Sequence, residues 1–252
     1  MNYGLQLFSV RDLAQEHYEE ALRLVSEMGY TTVEPAGFFG LPASEVATMM
    51  KRYGLTVCST HTSRKEVFEN FEATVAYHKA IGCRDIIIPA ARFSTAEELD
   101  RLVELINHFQ PLLEAEGMRL HYHNHDGEFL PNLSGQIAFD ELASRTKILF
   151  EIDTFWAFNA GRSPLDLMEQ YKDRIRFIHL KDGIVQDRKD PESHAIGKSL
   201  GSGNAPIEAV RQKAIELGIQ IVVESEGLEP TGVEEVKRCI DYLKALDAKK
   251  LL

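Results

Sequence analysis

The sequence predicts an α/β protein that folds as a single (β/α)8 TIM barrel over residues 1–252. Its length of 252 residues matches one such barrel, which typically needs about 250 residues. Short strand-like runs alternate with amphipathic helical segments, and several of the helical segments end in a glycine just before the next strand. Strands that alternate with helices pair in parallel, and no linker or low-complexity stretch divides the chain.

Eight strands are predicted, and five of them follow a glycine that can adopt the left-handed conformation at the end of a helix. The predicted strands are residues 3–8, 31–34, 56–61, 85–89, 119–125, 148–153, 175–180 and 220–225. The glycines are Gly29, Gly54, Gly82, Gly117 and Gly218. A doubly wound open sheet would need a glycine-rich phosphate-binding turn after the first strand, and residues 8–11 read Phe-Ser-Val-Arg.

Helical segments fill the intervals between these strands. They are predicted at residues 18–28, 42–53, 68–81, 99–113, 136–144, 164–171, 206–217 and 232–248. The segment 18–28 shows the pattern, because its apolar positions 21, 22, 24, 25 and 28 lie on one side at the helical period. The longest irregular segment, residues 183–205, is expected to be a mobile lid over the site or, alternatively, a dimer contact.

Composition narrows the function classes. The chain has 28 Lys and Arg against 39 Asp and Glu, so its net charge of −11 argues against a nucleic-acid partner. Three cysteines lie far apart, which favours a reducing, cytoplasmic location without disulfides. The first residues resemble no signal peptide, and no apolar run is long enough to span a membrane. A homo-oligomer is left open.

Polar residues gather where the predicted strands end, which is where α/β barrels carry their active sites. A histidine of strand five, Asp153, His179 and Glu224 come from four successive strands and would form a nitrogen and oxygen site for Mn²⁺, Zn²⁺, Co²⁺ or Fe²⁺. Other interpretations remain open at this point. Asp153 could cap the next helical turn, Glu224 could pair with an arginine, and the three histidines of residues 121–125 could lie in a solvated loop.

Six stretches spanning most of the chain carry a family resemblance. They are residues 3–11, 29–34, 122–126, 153–156, 179–183 and 222–224. Together they resemble the xylose-isomerase-like barrels that include sugar phosphate isomerases/epimerases, inosose dehydratases and keto-sugar epimerases. The resemblance implies a divalent-metal cofactor, Mn²⁺ or Zn²⁺ before Co²⁺ or Fe²⁺, on His123, Asp153, His179 and Glu224. It also implies a small carbohydrate substrate.

One position departs from the family pattern. The epimerases usually carry glutamate where this chain has His123, and in them two glutamates act as acid and base on opposite faces of the substrate. An imidazole nitrogen bound to a metal has no lone pair left to accept a proton. The sequence therefore predicts either a different second base or a reaction that needs one base.

The favoured hypothesis is an isomerase or epimerase-like enzyme acting on a keto-sugar, sugar phosphate or keto-cyclitol, and the alternative is a dehydratase. Glu224 is the predicted base, Lys181 would stabilise the oxyanion or protonate a leaving group, and His125 is a second acid–base candidate. Lys181 could equally form a salt bridge with Asp182 or Glu226. The residues predicted to contact substrate are Glu34, His61, Trp156 and Gln6, although Trp156 could also be a core aromatic residue.

Two other functions are weighed against this one. A family-two apurinic endonuclease would need three zinc ions and a basic surface for DNA, which the net charge disfavours. A non-catalytic sugar-binding barrel would be expected to have lost metal ligands, and this chain retains a complete set.

Overall fold

The structure, a computed structural model, describes residues 1–190 and 192–249; positions 250–252 of the predicted domain lie outside the described residues. Within this part of the chain, eight barrel strands run parallel to their neighbours and are surrounded by helices, which confirms the predicted fold class. The strands are β1 (Gly4–Gln6), β2 (Thr32–Glu34), β3 (Thr56–Val57 and Thr60–His61), β4 (Asp85–Ile88), β5 (Arg119–His123), β6 (Leu149–Asp153), β7 (Ile175–Leu180) and β8 (Gln220–Val223).

The barrel closes through β3, which is broken into two short pieces. Thr56–Val57 pairs with β2, whereas Thr60–His61 pairs with β4. Across the break, the backbone N–H of Cys58 donates to the carbonyl of Val33 at 3.0 Å, which keeps the chain attached to β2. The remaining strands pair in the order β2, β1, β8, β7, β6, β5, β4. Every strand therefore delivers its carboxyl end to the same face of the molecule.

The helices lie close to the predicted segments. They are Arg11–Ala14, Tyr18–Met28, Ala43–Arg52, Arg64–Glu69, Phe71–Ala80, Ala96–Ala115, Ala138–Arg145, Thr154–Asn159, Pro164–Gln170, Ile207–Leu217 and Gly232–Lys249. The predicted helix 68–81 is two helices, because Ser63 and Glu66 form a capping box that starts an earlier one and Asn70 leaves the helical conformation (φ −122°, ψ 36°). The short helix Thr154–Asn159 was not predicted.

The barrel interior changes character along its axis. Near the amino-terminal end it is filled by Ile87, Phe177 and Val222, with Cys58 packed against them. His179 follows Phe177 by two residues, and Glu224 follows Val222 by two residues. Because side chains alternate along a strand, both residues also face inward. The upper half of the interior is therefore polar, and it lies directly below the carboxyl-terminal face.

The segment 183–205 is more regular than predicted. An antiparallel hairpin joins Asp182–Ile184 to Ile196–Lys198, and residue 191 is outside the described residues. The buried Asp182 carboxylate accepts the backbone N–H groups of Gly183, Gly201, Gly203 and Ala205 at 2.8–3.1 Å, which clamps the base of the segment. A side chain at Gly203 would meet an Asp182 oxygen at 2.3 Å, so glycine is required there. The lid remains a prediction for the part between the hairpin strands.

Candidate metal centre and active site

Three of the four predicted metal ligands come together at the carboxyl ends of β6, β7 and β8. Each of Asp153, His179 and Glu224 offers a ligand atom within 4.8 Å of the other two, and all three residues are buried. His179 Nδ1 lies 3.1 Å from Glu224 Oε2 and 3.9 Å from Asp153 Oδ2. Alternation along the strands explains the meeting, since each residue is the last inward-facing position of its strand or the first after it.

Asp153 fits both interpretations made from the sequence. Its Oδ1 accepts the backbone N–H of Trp156 at 2.9 Å and so caps the helix Thr154–Asn159. Its Oδ2 is buried and has no hydrogen-bond partner in the protein. Burial raises the pKa of Asp153 to about 7 against the opposing effect of Lys181. Lys181 Nζ at 3.6 Å and His179 Nδ1 at 3.9 Å lie beyond hydrogen-bond distance of this oxygen, so it can serve as a metal ligand.

His123 lies beside these three residues, in contact with a different partner. Its ring centre is 4.7 Å from that of His179, and its Nδ1 lies 3.1 Å from Glu151 Oε2. The distances group its ligand atoms with those of His61, Glu151 and His179 rather than with Asp153 and Glu224. Burial lowers the pKa of His123 well below its usual value, so the imidazole is neutral, as a metal ligand must be. Its ligation of the metal stays a prediction.

Lys181 is fully buried among carboxylates. Its Nζ lies 2.8 Å from Glu226, 3.1 Å from Glu224 and 3.6 Å from Asp153. Burial alone would lower the pKa of Lys181, but these carboxylates raise it above its usual value, so the side chain is a cation. The salt bridge predicted with Glu226 is present, and it coexists with contacts to two of the predicted metal ligands.

A cavity of about 400 Å³ opens onto this cluster from solvent. It is lined by Phe8, Ala36, Gly37, His61, Ser63, Glu66, Pro89, Ala90, His123, His125, Glu224 and Glu226. These residues include three carboxylates and three imidazoles, but neither lysine nor arginine. The cavity therefore favours an uncharged substrate with hydroxyl groups over one that carries a phosphate dianion.

His125 and Trp156 lie next to each other at the mouth, with ring centres 6.0 Å apart. β5 ends at His123, two residues before the predicted end, so His125 belongs to the following loop. Burial and the Lys181 cation lower the pKa of His125 to about 4, which leaves a neutral imidazole at the cavity wall. Lys181 Nζ lies 4.9 Å from the centre of the Trp156 ring, which is a cation–π contact. Stacking of Trp156 on a sugar stays a prediction.

Glu34 and Gln6, both predicted to contact substrate, lie beneath the site instead. Each has no exposed surface. Glu34 Oε1 accepts Gln6 Nε2 at 2.7 Å and lies 2.7 Å from His179 Nε2, while its Oε2 accepts the Ser59 hydroxyl. Both carboxylate oxygens of Glu34 are engaged inside the barrel, and contact of Glu34 and Gln6 with a substrate stays a prediction. His61 does line the cavity, and its Nε2 lies 2.8 Å from Glu151.

Sequence reasoning assigned no role to Glu151, Asn124 and Glu128, three buried residues around the site. The Asn124 amide pairs with the backbone N–H and carbonyl of Asp153 at 3.1 Å, joining the ends of β5 and β6. Glu128 accepts the backbone N–H of His125 at 2.9 Å, which holds that loop. Glu151 could have been found from the alternation alone, because it lies two residues before Asp153 and faces the interior.

The residues present fit a divalent metal. Asp153 and Glu224 offer two carboxylates, and His123 and His179 offer two imidazoles, a nitrogen and oxygen donor set that suits a divalent transition metal. Burial alone would lower the pKa of His179, but the carboxylates of Glu151 and Glu224 raise it well above its usual value, so without such an ion His179 is a second cation beside Lys181. A divalent metal would take the place of the proton on this imidazole, because a ligand histidine must be neutral. None of the helices in the described ranges is long and apolar enough to cross a membrane.

Comparisons with known proteins identify the family and support the fold. The model of the xylose isomerase-like TIM barrel family matches residues 22–246. An inosose dehydratase from Geobacillus kaustophilus is 24% identical over 194 residues, which are 66% of this chain and 63% of that protein. The chain thus spans well under the full length of that curated relative.

Solved structures extend the likeness to the whole barrel. A sugar phosphate isomerase/epimerase from Parabacteroides distasonis has a TM-score of 0.80 at 25% identity, covering 96% of this chain and 97% of its own. A probable 3-DHS dehydratase from Bacillus anthracis has a TM-score of 0.76 at 13% identity, covering 97% and 99%. At that identity the second likeness supports the fold alone.

Proposed function

The chain belongs to the xylose isomerase-like TIM barrel family, and we propose that it is a divalent-metal-dependent enzyme that removes the proton next to the carbonyl of a keto-sugar or keto-cyclitol. We further propose that loss of a β-hydroxyl, rather than inversion at the carbon, completes the reaction. The observation that carries this choice is that the buried Lys181 joins two carboxylates, Glu224 and Glu226, that line the same cavity. Lys181 Nζ lies 3.1 Å from Glu224 Oε2 and 2.8 Å from Glu226 Oε2.

The metal would be held by His123, Asp153, His179 and Glu224, and when bound it supplies Lewis-acid polarisation of the substrate carbonyl. Glu224 would be one of these ligands, and as a carboxylate that lines the cavity it would accept the carbon-bound proton. Removal of that proton leaves the electron pair of the C–H bond on the substrate as an enediolate. Lys181 and Asn124 hold the acceptor and its neighbour Asp153 in place.

Elimination then needs a proton for the departing hydroxyl. Lys181 contacts both Glu224 and Glu226, so it can give a proton to Glu226 and recover the one that Glu224 took from carbon, and Glu226, which lines the cavity, then donates its proton to the departing hydroxyl. The β C–O bond breaks, the enediolate electrons form the new double bond, and one water molecule leaves. No electrons are gained or lost overall, and both acid and base are on the same strand end, which suits a one-sided reaction.

The two named comparisons support this proposal without deciding it. The relative from Geobacillus kaustophilus is an inosose dehydratase, and the neighbour from Parabacteroides distasonis is a sugar phosphate isomerase/epimerase. The cavity lining contains neither lysine nor arginine, so we propose that the substrate is unphosphorylated. This favours the keto-cyclitol and free keto-sugar classes over sugar phosphates.

The purified protein is expected to hold about one divalent transition metal per chain, because the four ligands form one charge-balanced site. Elemental analysis after mild purification measures the stoichiometry. Treatment with EDTA should abolish turnover, and added Mn²⁺ should restore it. A protein that is fully active without any metal would contradict the proposed metal dependence.

Turnover in D₂O tests the reaction type. We expect the Mn²⁺-loaded protein to lose water from an inosose or another keto-sugar, and to exchange the proton next to the carbonyl with solvent. A free ketohexose is expected to be epimerised poorly, since His123 replaces the second glutamate base of the epimerases. Efficient epimerisation, with solvent deuterium entering at C3 by NMR, would reveal a second base on the opposite face and reject the one-sided mechanism.

A further inference from the structure

A layer of carboxylates lies under the two histidines of the proposed metal site. On one side, Glu34 Oε1 lies 2.7 Å from His179 Nε2, and the opposite ring nitrogen of His179 faces Glu224 and Asp153. Gln6 donates to the same Glu34 oxygen at 2.7 Å, and Ser59 donates to the other one. Glu34 is thus held from three sides and has no exposed surface.

His123 has a comparable support. Its Nδ1 lies 3.1 Å from Glu151 Oε2, and that same oxygen lies 2.8 Å from His61 Nε2. The same Glu151 oxygen also lies 3.2 Å from His179 Nε2, so one buried carboxylate oxygen contacts three imidazoles. The His61 ring stacks on that of His179 at 5.2 Å, which closes the layer.

A neutral imidazole has one N–H and one lone pair, so the nitrogen that donates a hydrogen bond determines which nitrogen is free to bind a metal. We propose that Glu34 and Glu151 are positioning residues that select the ligating atoms, with His179 binding the ion through Nδ1 and His123 through Nε2. This inference rests on the metal site of the proposed function. It is consistent with the contact of 3.1 Å between His123 Nδ1 and Glu151 Oε2, which leaves Nε2 as the other nitrogen.

The alternative is that this layer only stabilises the barrel as a buried network of ion pairs. The chain provides a matched control for that possibility. At the other end of the barrel, Asp85 Oδ1 lies 2.8 Å from Nε2 of the fully buried His121, a carboxylate–imidazole pair of the same chemistry. Asp85 also contacts Arg119. A stabilising role alone would make Glu34, Glu151 and Asp85 equivalent.

The test measures Zn²⁺ affinity by competition with a chromogenic chelator for wild type, Glu34→Gln, Glu151→Gln and the control Asp85→Asn. Loss of a partner that orients a metal-bound histidine typically weakens metal affinity by about 10- to 100-fold. We expect this loss in the first two variants and no comparable loss in Asp85→Asn, with far-UV circular dichroism unchanged in all of them. Unchanged Zn²⁺ affinity in both Glu34→Gln and Glu151→Gln would overturn the proposal.

A second measurement needs no variant. Two-bond ¹H–¹⁵N correlation spectra of the Zn²⁺-loaded wild-type protein report which nitrogen of each histidine carries the proton. We expect Nε2–H for His179 and Nδ1–H for His123, and the opposite pattern at both histidines would refute the assignment. Failure of the proposed function would give a different result from both of these. A wild-type protein that binds neither Zn²⁺ nor Mn²⁺ would show that the proposed metal site does not exist.

Discussion

Replacing His179 by alanine is expected to abolish metal binding and to lower turnover by at least roughly 1,000-fold, since Lewis-acid stabilisation is worth several kcal/mol. His179 is the residue that connects the two parts of the site. Its Nδ1 faces Glu224 and Asp153, and its Nε2 faces Glu34. The variant would lose a ligand and would also remove the hydrogen-bond partner that the buried carboxylates of Glu34 and Glu224 share.

The barrel itself should survive this change. The packed apolar core surrounds the strands, whereas His179 belongs to the polar upper half of the interior. Losing its hydrogen bonds to charged groups should lower the free energy of unfolding by about 2 kcal/mol while leaving the far-UV circular dichroism spectrum nearly unchanged. Metal content, turnover and chemical denaturation measure the three effects separately.

His78 offers a control of the same residue type. It is also buried, but it lies on the helix Phe71–Ala80 and contacts Thr60, Thr62 and Thr74 outside the barrel interior. A folded His78→Ala variant should retain its metal and its turnover at reduced stability. Full activity and metal content in His179→Ala would remove β7 from the site and would leave the proposed function without its central ligand.

The residues that the sequence placed correctly are those whose position follows from alternation along a strand. Asp153, His179 and Glu224 are such residues, because each lies at the end of a clear strand pattern and faces inward. The order of the strands around the barrel is predicted in a similar way, from the alternation of strands with helices along the chain. These features depend on local periodicity, which a single sequence records directly.

Other features depend on contacts between distant segments. The break in β3 places Ser59 against Glu34, and the sequence of residues 56–61 alone does not indicate this break. Glu34 on β2 contacts His179, and Glu151 on β6 contacts His123. Only the closed barrel brings Glu34 and His179 together. For this reason Glu34 and Gln6 were expected at the substrate, although the closed barrel places them one layer below it.

His123 depends both on its position along a strand, which the sequence predicts, and on a contact with a distant residue, which the sequence does not predict. The family pattern identifies it as a ligand, and its strand position is correct, yet the nitrogen it presents depends on Glu151. Its substitution for glutamate also changes the chemistry, because two carboxylates and two imidazoles balance a divalent ion, whereas a third carboxylate would leave excess negative charge. A less negative site polarises a carbonyl more strongly. That change favours reactions that depend on one base.

Glu226→Gln is expected to separate the two halves of the proposed reaction. The variant keeps Glu224, so exchange of the proton next to the carbonyl with D₂O should continue at close to the wild-type rate. Loss of water should fall by about 100- to 10,000-fold, the usual contribution of a positioned general acid. Glu224→Gln should instead abolish both exchange and water loss, since it removes the base. NMR of the substrate signals in D₂O follows the two processes in one sample.

Glu229 supplies the matched control for this last experiment, because it is a glutamate on the same stretch of chain that pairs with Lys198 at 2.9 Å and is largely exposed. Glu229→Gln should exchange and eliminate as wild type does. The distinction follows from the geometry, since Glu226 both lines the cavity and contacts Lys181 at 2.8 Å, whereas Glu229 is not among the cavity-lining residues. Water loss at the wild-type rate in Glu226→Gln would show that the leaving hydroxyl receives its proton from another group, with Lys181 and His125 the nearest remaining donors to examine.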